Sequence, residues 1–140
     1  PHMKRTIFAA LAILTLVASF AGPVGANGTM EGKEVTVILQ DLPEKCPTGQ
    51  SMVGEAIIIL NDDGQKGTRL VSVNMSVVTP FGDVSVFQQT MRMERGTKAV
   101  VPLSIPVGTK VPTGDYYFDL SVSVKSEEVN VGHEVYIYTE

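Results

Sequence analysis

Few side chains in this sequence have the type and spacing that catalysis would need. A hydrolytic triad requires a nucleophile, a histidine base and an orienting carboxylate. His2, with Pro1, precedes Met3 and reads as a cloning scar, which leaves His133 as the candidate base. His133 falls in phase with Val131 and Val135, the position of a histidine at the margin of a core and bonded to backbone. There is no Gly-x-Ser-x-Gly elbow, and no glycine-rich loop opens a helix to cradle phosphate. The sequence therefore predicts a protein that is not an enzyme.

Soft-metal binding is a second chemistry to weigh. A structural zinc site takes three or four Cys, His or carboxylate ligands, more than Cys46 and His133 supply. Cuprous copper prefers thioether and thiolate, and Met91 and Met93 stand two apart on one strand face. Met52, Met75, Cys46 or His133 would complete that set; the competing reading is that the methionines fill gaps in a core. Asn61-Asp62-Asp63-Gly64 gathers oxygens that suit calcium, yet it lacks the length and closing glutamate of an EF-hand loop and reads as a turn. Cys46, the sole cysteine, excludes an internal disulfide and reads as a small half-buried loop residue, with an intermolecular disulfide or metal ligation as alternatives.

Recognition by aromatic faces is the third. Tyr117, Tyr136 and Tyr138 point away from the rows of Phe118 and Val135 and fall near one another across a terminal hairpin. Tyrosines on a solvated sheet face can bind sugar rings or a partner protein, because a ring supplies area at low entropic cost. Ordinary cross-strand pairing is the competing reading.

The elements that must position these residues are strands. Tyr116, Phe118, Leu120, Val122 and Val124 alternate with Tyr117, Asp119, Ser121 and Ser123, the period of a half-buried strand. Val129, Val131, Val135 and Ile137 repeat the pattern beyond the polar turn Lys125-Ser126-Glu127-Glu128, which predicts a C-terminal hairpin. Val71 to Val77 and Ala99 to Ile105 form two more rows, Glu34 to Leu39 a less regular one, and Asp83 to Met93 one or two strands. Ala56-Ile57-Ile58-Ile59-Leu60 is apolar throughout and suits a central strand covered on both faces. Pro102 has no amide to donate, so its strand belongs at an edge or carries a bulge. Turns are predicted at Asn61–Gly64, Pro80-Phe81-Gly82-Asp83, Glu94-Arg95-Gly96-Thr97 and Pro112-Thr113-Gly114-Asp115, each with a glycine suited to positive φ. With no helical periodicity, this is an all-β antiparallel Greek-key sandwich of seven or eight strands.

The stretch Val101-Pro102-Leu103-Ser104-Ile105-Pro106-Val107-Gly108, followed by Pro112-Thr113-Gly114-Asp115-Tyr116-Tyr117-Phe118, resembles one corner of secreted immunoglobulin-like and fibronectin-like modules. In that corner a tyrosine opening a strand bonds back to upstream backbone, and Tyr116 holds the matching place. The chain has no tryptophan and no second cysteine, so the resemblance implies the bacterial immunoglobulin-like class and not antibody-type domains.

Residues 3–26 set the compartment. Lys4 and Arg5, the apolar run Ile7 to Phe20, and small residues up to Ala26 predict a secretory signal peptide cut before Asn27. The apolar run is shorter than the roughly twenty residues of a spanning helix, so no stable membrane insertion is expected after cleavage. The remaining 114 residues, 27–140, make a single immunoglobulin-like β-sandwich domain of net charge −6, from nine basic and fifteen acidic side chains. That sign argues against nucleic-acid partners. The expectation is an exported, periplasmic or extracellular, non-catalytic binding or assembly module. Its partner would be a protein or a glycan, met through a sheet face or edge; self-association stays open and no cofactor is implied. The alternative is a periplasmic copper carrier using Met91, Met93, Cys46 and His133.

Overall fold

The computed structural model describes residues 26–62, 64, 67–125 and 127–140. The predicted scar and leader lie outside these, as do Asp63 and Ser126 of the predicted turns. The described chain is all-β, with strands β1 (Ala26–Glu31), β2 (Val35–Gln40), β3 (Lys45–Pro47), β4 (Ser51–Leu60), β5 (Thr68–Thr79), β6 (Gly82–Glu94), β7 (Lys98–Pro106), β8 (Gly114–Val124) and β9 (Glu127–Tyr138). They form a four-stranded sheet in the order β1-β2-β4-β7 and a five-stranded sheet in the order β3-β9-β8-β5-β6. No helix among the described residues is long and apolar enough to cross a membrane.

The alternating rows become the inner faces of a sandwich. Phe118, Leu120, Val122 and Val124 of β8 and Val71, Val73 and Met75 of β5 are buried against Val35, Val37 and Leu39 of β2 and Ala56, Ile58 and Leu60 of β4. Each fully buried aliphatic side chain of this kind contributes about 1.5–3 kcal/mol. The apolar run in β4 is central, between β2 and β7, and Ile57 is buried on the outer face as well. Pro102 lies on β7, an edge strand, where its missing amide costs no sheet bond.

Four details depart from the sequence reading. There are nine strands among the described residues, because β1 and β3 carry no readable alternation. The architecture is not wholly antiparallel: β3 runs parallel to β9, pairing Lys45, Cys46 and Pro47 with Tyr136, Ile137 and Tyr138. Cys46 is consequently not a half-buried loop residue but a strand residue only 3% exposed, and burial pushes its thiol pKa up. Gly114 opens β8 without a positive φ, whereas Gly64, Gly82 and Gly96 do adopt one.

Two features shape the rims. Met75 pairs with Phe87 but Ser76 with Ser85, so Val86 is an extra residue in β6. Beyond this bulge the β5–β6 hairpin ends in Phe81, which is 99% exposed. Its turn is braced by Thr79 Oγ1, which accepts from Phe81 N (3.2 Å) and donates to the Gly82 carbonyl (2.5 Å). At the other rim the Glu127 carboxylate on β9 accepts from the amides of Lys33 (2.9 Å), Glu34 (2.9 Å) and Val35 (3.2 Å), joining the two sheets. Gly32 leaves room for it, since a Cβ there would overlap Glu127 Oε1. Arg95 Nη2 bonds Glu34 Oε1 in the same turn at 2.7 Å.

Candidate functional site

The outer face of the five-stranded sheet carries the three tyrosines. On β9, residues 136 and 138 share a face, and their rings stack with centroids 6.1 Å apart and planes 13° off parallel. Tyr117 on β8 faces Glu134 on β9 and Val78 on β5, while Tyr136 faces Asp115 on β8 and Lys45 on β3. Tyr117 and Tyr136 are 48% and 40% exposed. They occupy neighbouring rows of one hairpin, as the sequence predicts.

The third ring is held in a way the sequence reading missed. Tyr117 lies across Gly132, where a Cβ would overlap the phenolic oxygen and crowd the ring carbons next to it. The glycine removes a side chain from the sheet surface, and the phenol takes the vacated space. The phenolic end thus sits over the Gly132 position while Tyr117 as a whole stays 48% exposed. The signal was in the sequence, because a lone glycine inside an alternating strand marks a close approach.

Around the rings the chemistry is acidic and polar. Asp115 and Asp119 flank Tyr117 on its own strand, and Glu134 is its cross-strand neighbour. Lys45 is the cation in register with Tyr136. Further along the face, Ser121 Oγ donates to Asn130 Oδ1 (2.6 Å), Asn130 Nδ2 to Glu128 Oε2 (3.3 Å) and Ser85 Oγ to Asn74 Oδ1 (2.6 Å). Burial pushes the Asp119 carboxyl above the ordinary range, and the Asp83 and Glu128 carboxylates add to this against the hydrogen bond from Ser121. A ring face offered beside carboxylates suits ligands that bring C–H surface together with hydroxyl or ammonium donors.

The soft-metal set is dispersed. Met91 and Met93 are buried on β6, at one edge of the five-stranded sheet, and Cys46 is buried on β3 at the opposite edge. Three strands intervene, about 19 Å measured along the sheet. His133 sits four residues along β9 from Ile137, the partner of Cys46, and its Nε2 lies 2.9 Å from the Pro43 carbonyl, to which it donates. These residues are not brought together. Tyr116, by contrast, makes the corner contact its position implies: its hydroxyl donates to the Pro112 carbonyl at 2.7 Å.

No family model matches the chain, and no curated protein matches it by sequence. Among solved structures it is similar to a β-glucosidase from Listeria innocua in complex with isofagomine, with 15% identity and a TM-score of 0.54. That match covers 76% of this chain and 17% of the glucosidase. It is also similar to Spo0M, a sporulation control protein from Bacillus subtilis, with 8% identity and a TM-score of 0.52, covering 79% of this chain and 51% of Spo0M. The chain thus spans about a sixth of the one and half of the other, and what it shares with both is a β-sandwich fold.

Proposed function

We propose that this chain is an exported, non-catalytic binding module of the immunoglobulin-like, Greek-key kind, whose protein or glycan partner lies across the outer face of the five-stranded sheet. The leader-like residues 3–26 support export to the periplasm or beyond. The hydroxyl bond from Tyr116 to Pro112 supports the immunoglobulin-like class. The observation that carries the binding role is half-exposed Tyr117 with its phenolic end over Gly132, on the face that also holds the stacked Tyr136 and Tyr138. Half-exposed tyrosines on a sheet that has already buried its other face form a preformed surface, and ordering it costs a ligand little.

The test is retention of ligand by immobilised protein from residue 27 onward, using exported proteins and surface polysaccharides of the native host. Wild type should retain a ligand that the Tyr136→Ala/Tyr138→Ala variant releases, while circular dichroism of the two stays the same. Equal retention by both would remove the tyrosine face from the account and leave the sheet edges β6 and β7 as the place to look.

A further inference from the structure

The β5–β6 hairpin overhangs the sandwich. Val84 is in register with Val77, and Val77 with the buried Phe118, so all three lie on the core side of their sheet. Val84 is nevertheless 55% exposed, because the opposite sheet does not reach this far. On the other side of the hairpin Val78, in register with Tyr117, is 43% exposed. Between the two valines the turn carries Pro80 and the fully bared ring of Phe81. An apolar side chain alone on a surface is ordinary, but here apolar surface wraps a projecting tip on both sides.

The chemistry of the tip narrows what fits it. Pro80 has no amide hydrogen, the Phe81 amide is taken by Thr79 Oγ1, and the Thr79 hydroxyl is committed to the Gly82 carbonyl. A glycan needs polar groups beside the ring it stacks on, and the turn has spent most of its own. From Leu70 to Met91 the sole charge is Asp83, and behind it on the outer face stand Asp115, Asp119 and Glu134. A second copy of the chain or an anionic bilayer would set like charge against these. One ring and two valines also offer a bilayer about as much apolar surface as a single acyl chain, which anchors a protein only marginally. A concave apolar pocket with a basic rim answers both features, covering the ring from several sides while its cations meet the carboxylates.

We propose that Phe81 is an anchor that enters an apolar pocket, rimmed by Lys or Arg, on a protein partner. This rests on the binding role of the tyrosine face, which Val78 joins to the tip through Tyr117, and it makes the partner a protein and not a glycan. The Thr79 bonds hold the backbone beneath the ring before contact, so seating the anchor costs little further ordering.

The experiment places a photoreactive side chain, Phe81→p-benzoylphenylalanine or Tyr117→p-benzoylphenylalanine, in the full chain expressed in its native host. Illumination should join both positions to one and the same polypeptide, identified by mass spectrometry. That polypeptide, purified, should bind wild type at least about tenfold more tightly than Phe81→Ser, with an association rate that falls as salt is raised. Phe81 is exposed, so circular dichroism of Phe81→Ser should match wild type. An adduct at 117 without one at 81 would keep the tyrosine face and overturn the anchor, whereas adducts at neither position would remove both. The anchor is also overturned by adducts between copies of this chain, by equal binding of Phe81→Ser, or by a rate indifferent to salt. Sedimentation of wild type but not Phe81→Ser with phosphatidylcholine or phosphatidylglycerol vesicles would overturn it in favour of a lipid surface.

Discussion

Replacing Glu127 by glutamine tests whether one carboxylate holds the rim of the sandwich. Its two oxygens accept from three consecutive amides of the β1–β2 turn, at 2.9, 2.9 and 3.2 Å, and so tie the start of β9 to the opposite sheet. Glutamine has nearly the same shape but only one acceptor oxygen, and its amide group would meet an N–H head on. A hydrogen bond to a charged group contributes about 1.5–3 kcal/mol. Because the Lys33 bond is exposed, the lower half of that range is appropriate, about 2 kcal/mol for the variant. For the 114 residues of 27–140 this corresponds to about 8 °C in Tm.

The pH dependence sharpens the test. Burial opposes the charge on Glu127, but the amides of Glu34, Lys33 and Val35, with the Lys33 ammonium, overcome it and hold the carboxyl pKa below the ordinary glutamate value. A group whose folded pKa is depressed contributes stability above its unfolded pKa and loses it as pH falls through the folded one. Urea unfolding of wild type and Glu127→Gln should therefore differ most at neutral pH. The curves should converge in acid, where the protonated glutamate becomes the analogue of glutamine. A difference that persists unchanged at low pH, or no difference at pH 7, would refute the clamp.

Two smaller predictions follow from single contacts. Tyr116→Phe should cost about 0.5–1 kcal/mol through loss of the hydroxyl bond to Pro112, seen as a lower urea midpoint with an unchanged slope; an unchanged midpoint would mean the hydroxyl contributes nothing. Cys46, buried and with its thiol pKa pushed up, should react with a thiol reagent at pH 8 only as fast as the protein unfolds. Rapid modification of the native protein would show β3 opening from β9.

How much of this was legible in the sequence depends on how far apart the interacting residues lie. Alternation in β5, β7, β8 and β9 fixes which residues face inward, because strand period is a local property and one face is buried. Pro102 marked its edge for an equally local reason. β3 is three residues long, too short for any period, and exists because a parallel partner 91 positions away accepts it at Lys45 and Tyr136. The Val86 bulge is likewise invisible, since a bulge is a mismatch between two strands and not a feature of one. Glu127 reads as part of a polar turn, and only the approach of the β1–β2 turn gives its carboxylate three amides. The contact between Gln40 and Glu55 has no motif either, since only the β2–β4 register sets the two side by side.

The tyrosine face was partly legible, and Gly132 is the part that alternation alone did not show. If Tyr117, Tyr136 and Tyr138 served only strand pairing, position 132 would gain from a β-branched residue, which packs well on a pleated surface. Glycine inside a strand gives up about 0.5–1 kcal/mol against even alanine. Tyr117 offsets some of that by covering the bare backbone, yet a side chain at 132 would make the cover unnecessary. What the pair adds beyond stability is a half-exposed tyrosine seated over bare backbone, on a face with two stacked rings and with Asp115, Asp119 and Glu134 in neighbouring register positions. On the binding role proposed above, that cost at the centre of β9, on the face away from the core, is what keeps Tyr117 in place for a ligand, and Gly132→Ala should then weaken ligand retention by the immobilised protein more than it lowers Tm.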